Sequence, residues 1–388
     1  MKTDVVIIGA GASGLMCAIE AGRRGRSVLV LDHSEKAASK ILVSGGGRCN
    51  FSNRIVGREN YISQNPRFAT SALSRFTPSH FLSIVESHGI RYHEREEGRL
   101  FCDEKSSEIA DMLKSECDRA AVRFQLNCKI LEISRADGFR IATDKGIFYS
   151  ESLAIATGGL SYPNLGASNF GYAVAKQFGL KVTKLNPALT PLRFSPEDAV
   201  VYGGLAGISI DSTISYGGAK FRGNLLFTHD GISGPAILQI SSYWDRKGSL
   251  TVDLLPALDI FAVFLKKSHS KTLLPTILDQ YLPKRFVRLW CDLYSSSRPI
   301  NQYSQRELGS IARSLHGWPL RADRAEGFNK AEVTLGGVDT DELSSRSMES
   351  RKVPGLFFLG EVVDVTGHLG GYNLHWAWAS GYAGGQFV

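Results

Sequence analysis

The sequence contains no closely spaced pair of cysteines. Its six cysteines stand at positions 17, 49, 102, 117, 128 and 291, and no two are arranged as C-x-x-C. Zinc sites, iron–sulfur clusters and thioredoxin-type redox sites typically depend on such pairs. The cysteine pattern therefore argues against a metal centre and a redox dithiol, and we expect no bound metal.

Long apolar runs are absent as well. No stretch approaches the roughly 20 apolar residues of a membrane helix. The opening MKTDVVIIGAGASG passes from a polar start directly into a strand pattern, which leaves no room for a signal peptide. We therefore expect a cytoplasmic protein that makes no membrane contact.

Acidic residues are outnumbered by basic ones, since 38 Asp and Glu stand against 45 Lys and Arg, a net charge of +7. Such an excess attracts nucleic acid, or phosphorylated and carboxylated small molecules. The basic run KRFVRLW, around Lys284 to Arg288, is interpreted as a solvated helix face. With 388 residues, 43% hydrophobic and 21% charged, the chain is typical of a globular protein of two or three domains.

The segment DVVIIGAGASGLMCAIEAGRRGRSVLVLD, residues 4–32, carries the strongest signal. An apolar strand leads into Gly9-x-Gly11-x-x-Gly14, a helix follows, and a second strand ends at Asp32. Gly9 permits a tight turn, Gly11 leaves room for a pyrophosphate, and Gly14 lets the helix pack closely on the strand. The helix N-terminus then faces the phosphates, and Asp32 accepts hydrogen bonds from a ribose. The pattern predicts an adenine dinucleotide, FAD or NAD.

Two later segments favour FAD. One is SLAIATGGLSYP, residues 152–163, and the other is VPGLFFLGEVVDVTGHLGGYNLHWAWASGYAGG, from Val353. Both resemble glutathione-reductase-like flavoproteins, in which an A-T-G strand and a C-terminal G-D or G-E flank the FAD. The resemblance implies that Glu361 binds the ribityl chain of the flavin. A helix starting near Tyr372 to Leu374 would direct its N–H groups at the flavin pyrimidine, where negative charge collects on reduction.

Further motifs narrow the resemblance. The chain resembles the BaiN/YhiN-like family of NAD(P)/FAD-dependent oxidoreductases in the stretches KILVSGGGRCNFSN, GRLF, ATGGLSYPNLG, NPALTPL, FTHDGISGPAIL, VTLGGVDTDEL and SMES. These stretches follow the order of the family along the whole chain. Members are described as reductases of conjugated ring enones in bile acids and as aminoacetone oxidases. The resemblance therefore implies FAD and leaves the substrate open.

The predicted fold is α/β, a Rossmann-like FAD-binding domain with an inserted β-barrel domain and a nested small helical subdomain. The FAD-binding domain is expected at 1–190 and 332–388. From Pro191, short alternating segments separated by YGG turns predict the barrel, a substrate or lid domain at 191–255 and 326–331. Helical spacing in FAVFLKKSHSKTLLPTILDQYL and SQRELGSIARSLHGW predicts the helical insert at 256–325.

The expected FAD contacts include the loop SGGGRCN. There the N–H groups of Gly45 to Gly47 would form an anion-binding nest, Arg48 would neutralise phosphate, and Asn50 would bond to ribityl or flavin atoms. Cys49 is expected to pack against the flavin, and Ile130 to pair its backbone with adenine. The predicted set is Gly9, Gly11, Ala12, Ser13, Gly14, Asp32, His33, Lys40, Ser44, Gly45, Gly46, Gly47, Arg48, Cys49, Asn50, Ile130, Thr157, Gly158, Gly159, Gly360, Glu361, Gly371, Tyr372, Asn373 and Leu374.

The catalytic candidates are His229, His368 and Cys49. His229 lies in THDGISGPA and would donate a proton, because an ordinary histidine titrates near neutral pH. The alternative for that segment is a turn and helix N-cap, with Ser233 or Asp230 as the cap. A structural histidine is the alternative for His368 and for His375, which flank the start of the last helix.

The sequence thus predicts an FAD-dependent oxidoreductase acting on a small molecule, by NAD(P)H-dependent reduction of an activated C=C bond. One alternative is an amine or aminoketone oxidase that uses oxygen. Another is an RNA-associated flavoprotein, which the +7 charge motivates, although nucleic acid is not the expected partner. No second nucleotide fingerprint is present, so NADH or NADPH would bind transiently near the flavin. The substrate, the choice of nicotinamide and the oligomeric state stay open.

Overall fold

The computed structural model describes all 388 residues. The strands are β1 (Lys2–Ile8), β2 (Val28–Leu31), β3 (Asn50–Asn53), β4 (Tyr61–Ile62), β5 (Tyr92–Arg95), β6 (Arg99–Cys102), β7 (Arg123–Gln125), β8 (Ile130–Ala136), β9 (Gly138–Thr143), β10 (Gly146–Ile155), β11 (Asn186–Ala188), β12 (Leu192–Arg193), β13 (Ser209–Tyr216), β14 (Ala219–Phe227), β15 (Gly231–Ser233), β16 (Leu250–Asp253), β17 (Trp318–Leu320), β18 (Arg324–Ala325), β19 (Val333–Leu335), β20 (Leu356–Phe358) and β21 (Thr366–Gly367).

The helices are α1 (Ala12–Arg23), α2 (Ser39–Val43), α3 (Thr70–Arg75), α4 (Pro78–Ser87), α5 (Ser107–Arg119), α6 (Phe170–Gln177), α7 (Pro196–Tyr202), α8 (Pro235–Ser241), α9 (Ile260–Lys267), α10 (Leu274–Leu278), α11 (Lys284–Tyr294), α12 (Gln305–His316) and α13 (Tyr372–Gly385). None of these helices combines the length and the apolar character needed to cross a bilayer. The chain divides into two compact units, unit 1 of Met1–Pro187 with Glu332–Val388, and unit 2 of Ala188–Ala331.

The main sheet of unit 1 has the Rossmann-like arrangement that the fingerprint predicts. Its order is β7-β2-β1-β10-β9-β8, with β20 also paired to β10. The pairs of β1 with β2 and β10, of β2 with β7, and of β10 with β20 are parallel. The apolar run of β2 is fully buried, as expected for a strand covered on both faces. Since parallel strands end at one edge, the residues that follow β1, β2, β10 and β20 lie together there.

Helix α13 packs closely on α1 through small residues. A Cβ added at Gly381 would collide with the carbonyl oxygen of Ser13, and one at Gly385 would approach the Cβ of Glu20 within 2.6 Å. Trp376 and Trp378 are buried core residues, and Trp378 stacks on Phe81 with ring centroids 4.7 Å apart. The contact with α1 fixes the start of α13 relative to the fingerprint.

Unit 2 contains an antiparallel sheet that curls back on itself. Its order is β17-β16-β13-β14-β15-β12-β18. The two outermost strands follow one another in the chain, because β17 ends at Leu320 and β18 begins at Arg324. Four residue steps span at most about 14 Å, so the two edges are held near each other, which confirms the barrel-like fold class.

The helical part of unit 2 comprises α9 to α12, which lie between Ile260 and His316. The predicted insert, 256–325, extends beyond it because β17 and β18 return to the sheet. Both strands are very short and β17 contains Pro319, so they lack a readable alternation. The helices dock by their apolar faces, since Phe286 lies 5.7 Å from Trp318 and 5.9 Å from Phe227 between ring centroids.

Candidate flavin site

The glycine turn between β1 and α1 combines tight packing with an open face. A Cβ at Gly9 would collide with the carbonyl oxygen of Ala156, and one at Gly14 with that of Gly9. A Cβ at Gly11 would meet no atom within 4 Å. The first α-helical bond runs from the Leu15 N–H to the Gly11 carbonyl, so the N–H groups of the first turn, which begins with Ala12 and Ser13, have no intrahelical acceptor. This turn therefore presents free donors beside unfilled space, as a pyrophosphate requires.

Asp32 follows β2 and is oriented by backbone donors. Its Oδ2 accepts from the Ala10 N–H at 2.6 Å, and its Oδ1 accepts from the Ser34 N–H at 2.8 Å. His33 is exposed, and its Nδ1 lies 3.6 Å from Asp32 Oδ1. Ile130 is half-buried at the start of β8. The second lone pair of each Asp32 oxygen remains for a ribose diol.

Glu361 lies where β10 and β20 end, beside the Gly158-Gly159 pair. Its Oε2 lies 2.7 Å from Lys40 Nζ, and its Oε1 accepts from the Thr334 N–H at 2.9 Å. A Cβ at Gly159 would lie 2.5 Å from Glu361 Oε1, so the acid needs a glycine there. Thr157, another predicted FAD contact, directs its hydroxyl towards Gly171 of α6. Gly360 has a positive φ of 73° and lies next to Ser13.

Two residues at this edge were missed by the sequence argument. Thr334 holds Glu361 through its backbone, and its hydroxyl accepts from the Leu160 N–H at 2.8 Å. Tyr162 has a left-handed φ of 62°, donates to Glu332 Oε2 at 2.8 Å, and has its ring centroid 5.6 Å from Lys40 Nζ. The motif ATGGLSYP contains Tyr162, but neither contact partner is near it in sequence.

The loop SGGG forms a short turn whose three glycines all have positive φ, 58° at Gly45, 66° at Gly46 and 85° at Gly47. A Cβ at Gly45 would lie 2.6 Å from the Asn50 nitrogen, whereas Gly46 and Gly47 face open space. Ser44 donates to the Ile41 carbonyl at 2.7 Å, and Arg48 is exposed. The conformation requires glycine at this turn, while its predicted anion-binding role remains a prediction.

Cys49 is fully buried, with a left-handed φ of 43°. Burial raises the pKa of its thiol to about 12. At neutral pH the thiol is therefore protonated, and no disulfide involves it. These properties support the packing interpretation and disfavour a reactive thiolate.

Asn50 connects the loop to the start of α13. With its amide oriented to satisfy both ends, Oδ1 accepts from the Gly371 N–H at 3.0 Å, and Nδ2 donates to the carbonyls of Ser52 and Leu100 at 3.0 and 3.1 Å. Gly371 has a φ of 91°, and a Cβ there would collide with the Ser52 carbonyl. Asn50 therefore has protein partners for its side chain, rather than the free amide expected for a flavin contact.

The first turn of α13 begins at Tyr372, within the predicted range. Tyr372 accepts at its carbonyl from the Tyr61 hydroxyl at 3.1 Å. Asn373 accepts from the Gly367 N–H and donates to the Gly367 carbonyl, both at 2.8 Å. Leu374 is half-buried. These contacts fix the helix start, whose N–H groups have no intrahelical acceptor.

His375 is a structural histidine. It is fully buried, its Nδ1 lies 3.0 Å from Ser52 Oγ, and its Nε2 lies 3.1 Å from the Phe76 carbonyl. Burial lowers its pKa to about 4, so the ring is neutral, with Nε2–H as donor and Nδ1 as acceptor. His368 is partly buried, burial lowers its pKa, and its ring stands perpendicular to that of Tyr372 at 6.2 Å.

His229 belongs to unit 2, in the exposed turn between β14 and β15. The expected cap of the following helix is wrong, because α8 begins at Pro235 with Gly234 before it and no side-chain cap. Asp230 instead lies 3.3 Å from Arg193, and Ser233 is paired in β15. Sequence spacing did not reveal this competition for Asp230.

The residues at the strand edge fit FAD. Gly11 and the first turn of α1 fit a pyrophosphate, Asp32 fits a ribose, and Glu361 fits a polyol. No group of three or more His, Cys, Asp or Glu side chains is placed to hold a metal ion. The arrangement supports a bound dinucleotide, and assigning individual contacts to these residues remains a proposal.

Comparisons with known proteins agree with this site. The family described as HI0933-like protein Rossmann domain matches residues 3–387. The chain is 46% identical over 390 residues to the ribosomal RNA dihydrouridine synthase of Escherichia coli (strain K12), covering 99% of this chain and 98% of that protein. It is 30% identical over 404 residues to the 3-dehydro-bile acid delta(4,6)-reductase of Clostridium scindens, covering 98% and 97%.

A solved structure shares the fold. It is the 3-ketosteroid-delta4-(5alpha)-dehydrogenase from Rhodococcus jostii RHA1, with a TM-score of 0.50 and 14% identity over 99% of this chain and 97% of that one. Together with the family match, this confirms the resemblance drawn from the motifs. The chain belongs to the HI0933-like family and is an FAD-dependent oxidoreductase.

Proposed function

We propose that this flavoprotein reduces a uridine of ribosomal RNA to dihydrouridine. The observation that carries the proposal is the 46% and 44% identity, over nearly the full length of each chain, to proteins named ribosomal RNA dihydrouridine synthase from Escherichia coli and Haemophilus influenzae. The sequence alone does not predict nucleic acid as a partner, and the names of these relatives weigh against that prediction.

The chemistry agrees with the predicted reaction class. The C5=C6 bond of uracil is conjugated to the C4 carbonyl, so it is an activated C=C bond. Saturating it requires a hydride at C6, which is β to the carbonyl, and a proton at C5. The relative from Clostridium scindens is named for the reduction of a 3-dehydro bile acid, again a ketone-bearing substrate. A small conjugated ketone is therefore the second candidate substrate.

The residues at the strand edge would prepare this transfer. Bound FAD supplies the hydride from its N5. The first turn of α1 and Asp32 would hold the adenosine diphosphate part, and Glu361, braced by Lys40, would bind the ribityl chain. A helix N-terminus favours negative charge nearby by about 0.3 to 2 kcal/mol, so the start of α13 would stabilise the reduced flavin if the ring lies beside it.

The proton donor stays among the predicted candidates. Cys49 is the weakest of them chemically, because its thiol is fully buried. His368 is partly exposed beside Tyr372, and His229 is exposed in unit 2. If either histidine is the donor, its replacement by Ala slows substrate reduction and leaves flavin reduction by NAD(P)H unchanged. NADH or NADPH would act as the transient reductant.

A direct assay tests the proposal. Purified FAD-loaded protein is incubated without oxygen with unmodified ribosomal RNA and either NADH or NADPH. Nuclease digests are then examined by mass spectrometry for a uridine that has gained two hydrogens. We expect dihydrouridine at a defined site and none without the nicotinamide. Rapid flavin reduction combined with turnover of a conjugated steroid ketone, and no dihydrouridine, would instead select the second candidate.

A further inference from the structure

The positive charge of the protein is concentrated in the helical part of unit 2. Residues 259–316 contain nine Lys and Arg and four Asp and Glu, a net charge of +5 out of +7 for the whole chain. The remaining 330 residues therefore carry a net charge of only +2. An even distribution over 388 residues would give this segment about one charge, so the excess is local.

Helix α11 displays the densest group of these cations. Its apolar side, which includes Phe286, Val287 and Trp290, is buried. Lys284, Arg285 and Arg288 are exposed. Lys284 and Arg288 stand four residues apart, so they lie on the same side of the helix. We call Lys284, Arg285 and Arg288 the basic face.

The basic face forms no ion pair within the protein, although Asp292 stands one turn after Arg288 on the same helix. None of its three side chains lies within 4.0 Å of a carboxylate oxygen, whereas the nearby Arg298 pairs with Glu307. Arg285 donates to the Ala206 carbonyl at 2.7 Å, which anchors its guanidinium without cancelling the charge. The three cations are therefore not used in ion pairs within the protein, and their charges remain available to an external anion.

Two partly exposed tyrosines flank the basic face in the sequence. Tyr281, three residues before Lys284, is 39% exposed, and Tyr294 at the end of α11 is 44% exposed. Cations next to exposed aromatic rings match single-stranded nucleic acid, in which phosphates need counter-charges and bases stack on rings. Among polyanions, ribosomal RNA is the one that the proposed function brings to this protein, and its phosphates complement the charge of the basic face.

We propose that the basic face of α11 binds the phosphate backbone of the RNA substrate. This inference rests on the proposed function and adds the surface that recognises the RNA. It requires no particular base sequence, because phosphate contacts position an RNA without reading it. Phosphate contacts by Lys284 and Arg288 would contribute to RNA affinity, and this contribution would decrease steeply as the salt concentration rises.

The test compares two charge-matched variants of the full-length, FAD-loaded protein. Lys284→Gln with Arg288→Gln removes two charges from the basic face and leaves the anchored Arg285 in place. Lys114→Gln with Lys176→Gln removes two exposed helical charges from unit 1, neither of which forms an ion pair. Binding to unmodified ribosomal RNA is measured by filter retention between 50 and 300 mM salt. Thermal unfolding and flavin reduction confirm that both variants are intact.

We expect the α11 variant to bind RNA on the order of ten-fold more weakly at 100 mM salt and to lower the slope of log K against log salt by roughly 1.4. The unit 1 variant should match the wild type. Equal binding by the α11 variant and the wild type, or equal losses in both variants, would overturn the inference. If the α11 variant binds RNA normally and still forms dihydrouridine, the inference about the basic face is wrong and the proposed function is unaffected.

Two other outcomes are also decisive. Wild-type protein that neither binds ribosomal RNA nor forms dihydrouridine would refute both proposals together. If the wild-type protein does not bind RNA but floats with phosphatidylglycerol vesicles, and the α11 variant does not float with them, the basic face binds a lipid surface. That result would overturn the RNA assignment.

Discussion

Lys40 and Glu361 form an ion pair, with Nζ and Oε2 2.7 Å apart, although 321 positions separate them in the sequence. The pair joins the segment before the glycine loop to a residue that follows the end of β20 by three positions. Lys40 belongs to the predicted set of FAD contacts, and in the structure its ammonium contacts the Glu361 carboxylate. Glu361 is thereby held beside Gly159 in the orientation in which it would meet the ribityl chain.

Replacing Lys40 should weaken FAD binding. Lys40→Met removes the ammonium but keeps most of the aliphatic stem, so the Glu361 carboxylate loses one of its two partners. We expect the FAD dissociation constant to rise about ten-fold, measured by the recovery of flavin fluorescence on dilution. Lys36→Met changes an exposed lysine on the same segment and should have no effect. Equal FAD affinity in the two variants would show that the ion pair does not position the acid.

Gly11 offers a cleaner test of the pyrophosphate site than the other two fingerprint glycines. Its φ is −88°, which alanine adopts freely, and an added Cβ would meet no protein atom within 4 Å. Gly11→Ala should therefore leave the thermal midpoint of the apoprotein unchanged while reducing FAD affinity at least about ten-fold. Gly14→Ala should lower stability itself, because its Cβ would collide with the Gly9 carbonyl. Normal FAD binding by Gly11→Ala would place the pyrophosphate elsewhere.

These cases show what the sequence could predict. The first strand, the glycine turn, the helix and the second strand are adjacent in the chain. Their geometry is local, so the sequence predicts it. The predicted barrel and α/β class are also confirmed. The ion pair of Lys40 with Glu361 and the hydrogen bond from the Gly371 N–H to Asn50 each join residues more than 300 positions apart. Residue spacing gives no signal for such distant contacts. The sequence therefore predicts Lys40 and Asn50 as FAD contacts rather than as partners of other protein groups.

His375 makes the stability of unit 1 depend on pH. Its pKa is lowered from 6.5 to about 4 by burial, so the unfolded chain binds a proton more readily than the folded one. Its contribution is therefore complete above pH 6.5 and is lost as the pH falls towards 4, about 3 kcal/mol in total. Thermal unfolding midpoints between pH 7 and pH 4.5 should fall less steeply in His375→Gln than in the wild type. Parallel curves would mean that another group causes the acid sensitivity.

Cys49→Ser should retain FAD and turnover. The thiol is fully buried and its pKa is raised from 9.0 to about 12, so no thiolate is present near neutral pH to act as a nucleophile. The wild-type protein should therefore resist alkylation by iodoacetamide at pH 7.5 while folded, and its rate of substrate reduction should show no thiol ionisation between pH 6 and pH 9. Because the folded pKa lies above the unfolded one, the thiol's stabilising contribution is present below pH 9 and declines above it. A variant that binds FAD normally but has lost all turnover would contradict this conclusion and return Cys49 to the catalytic candidates.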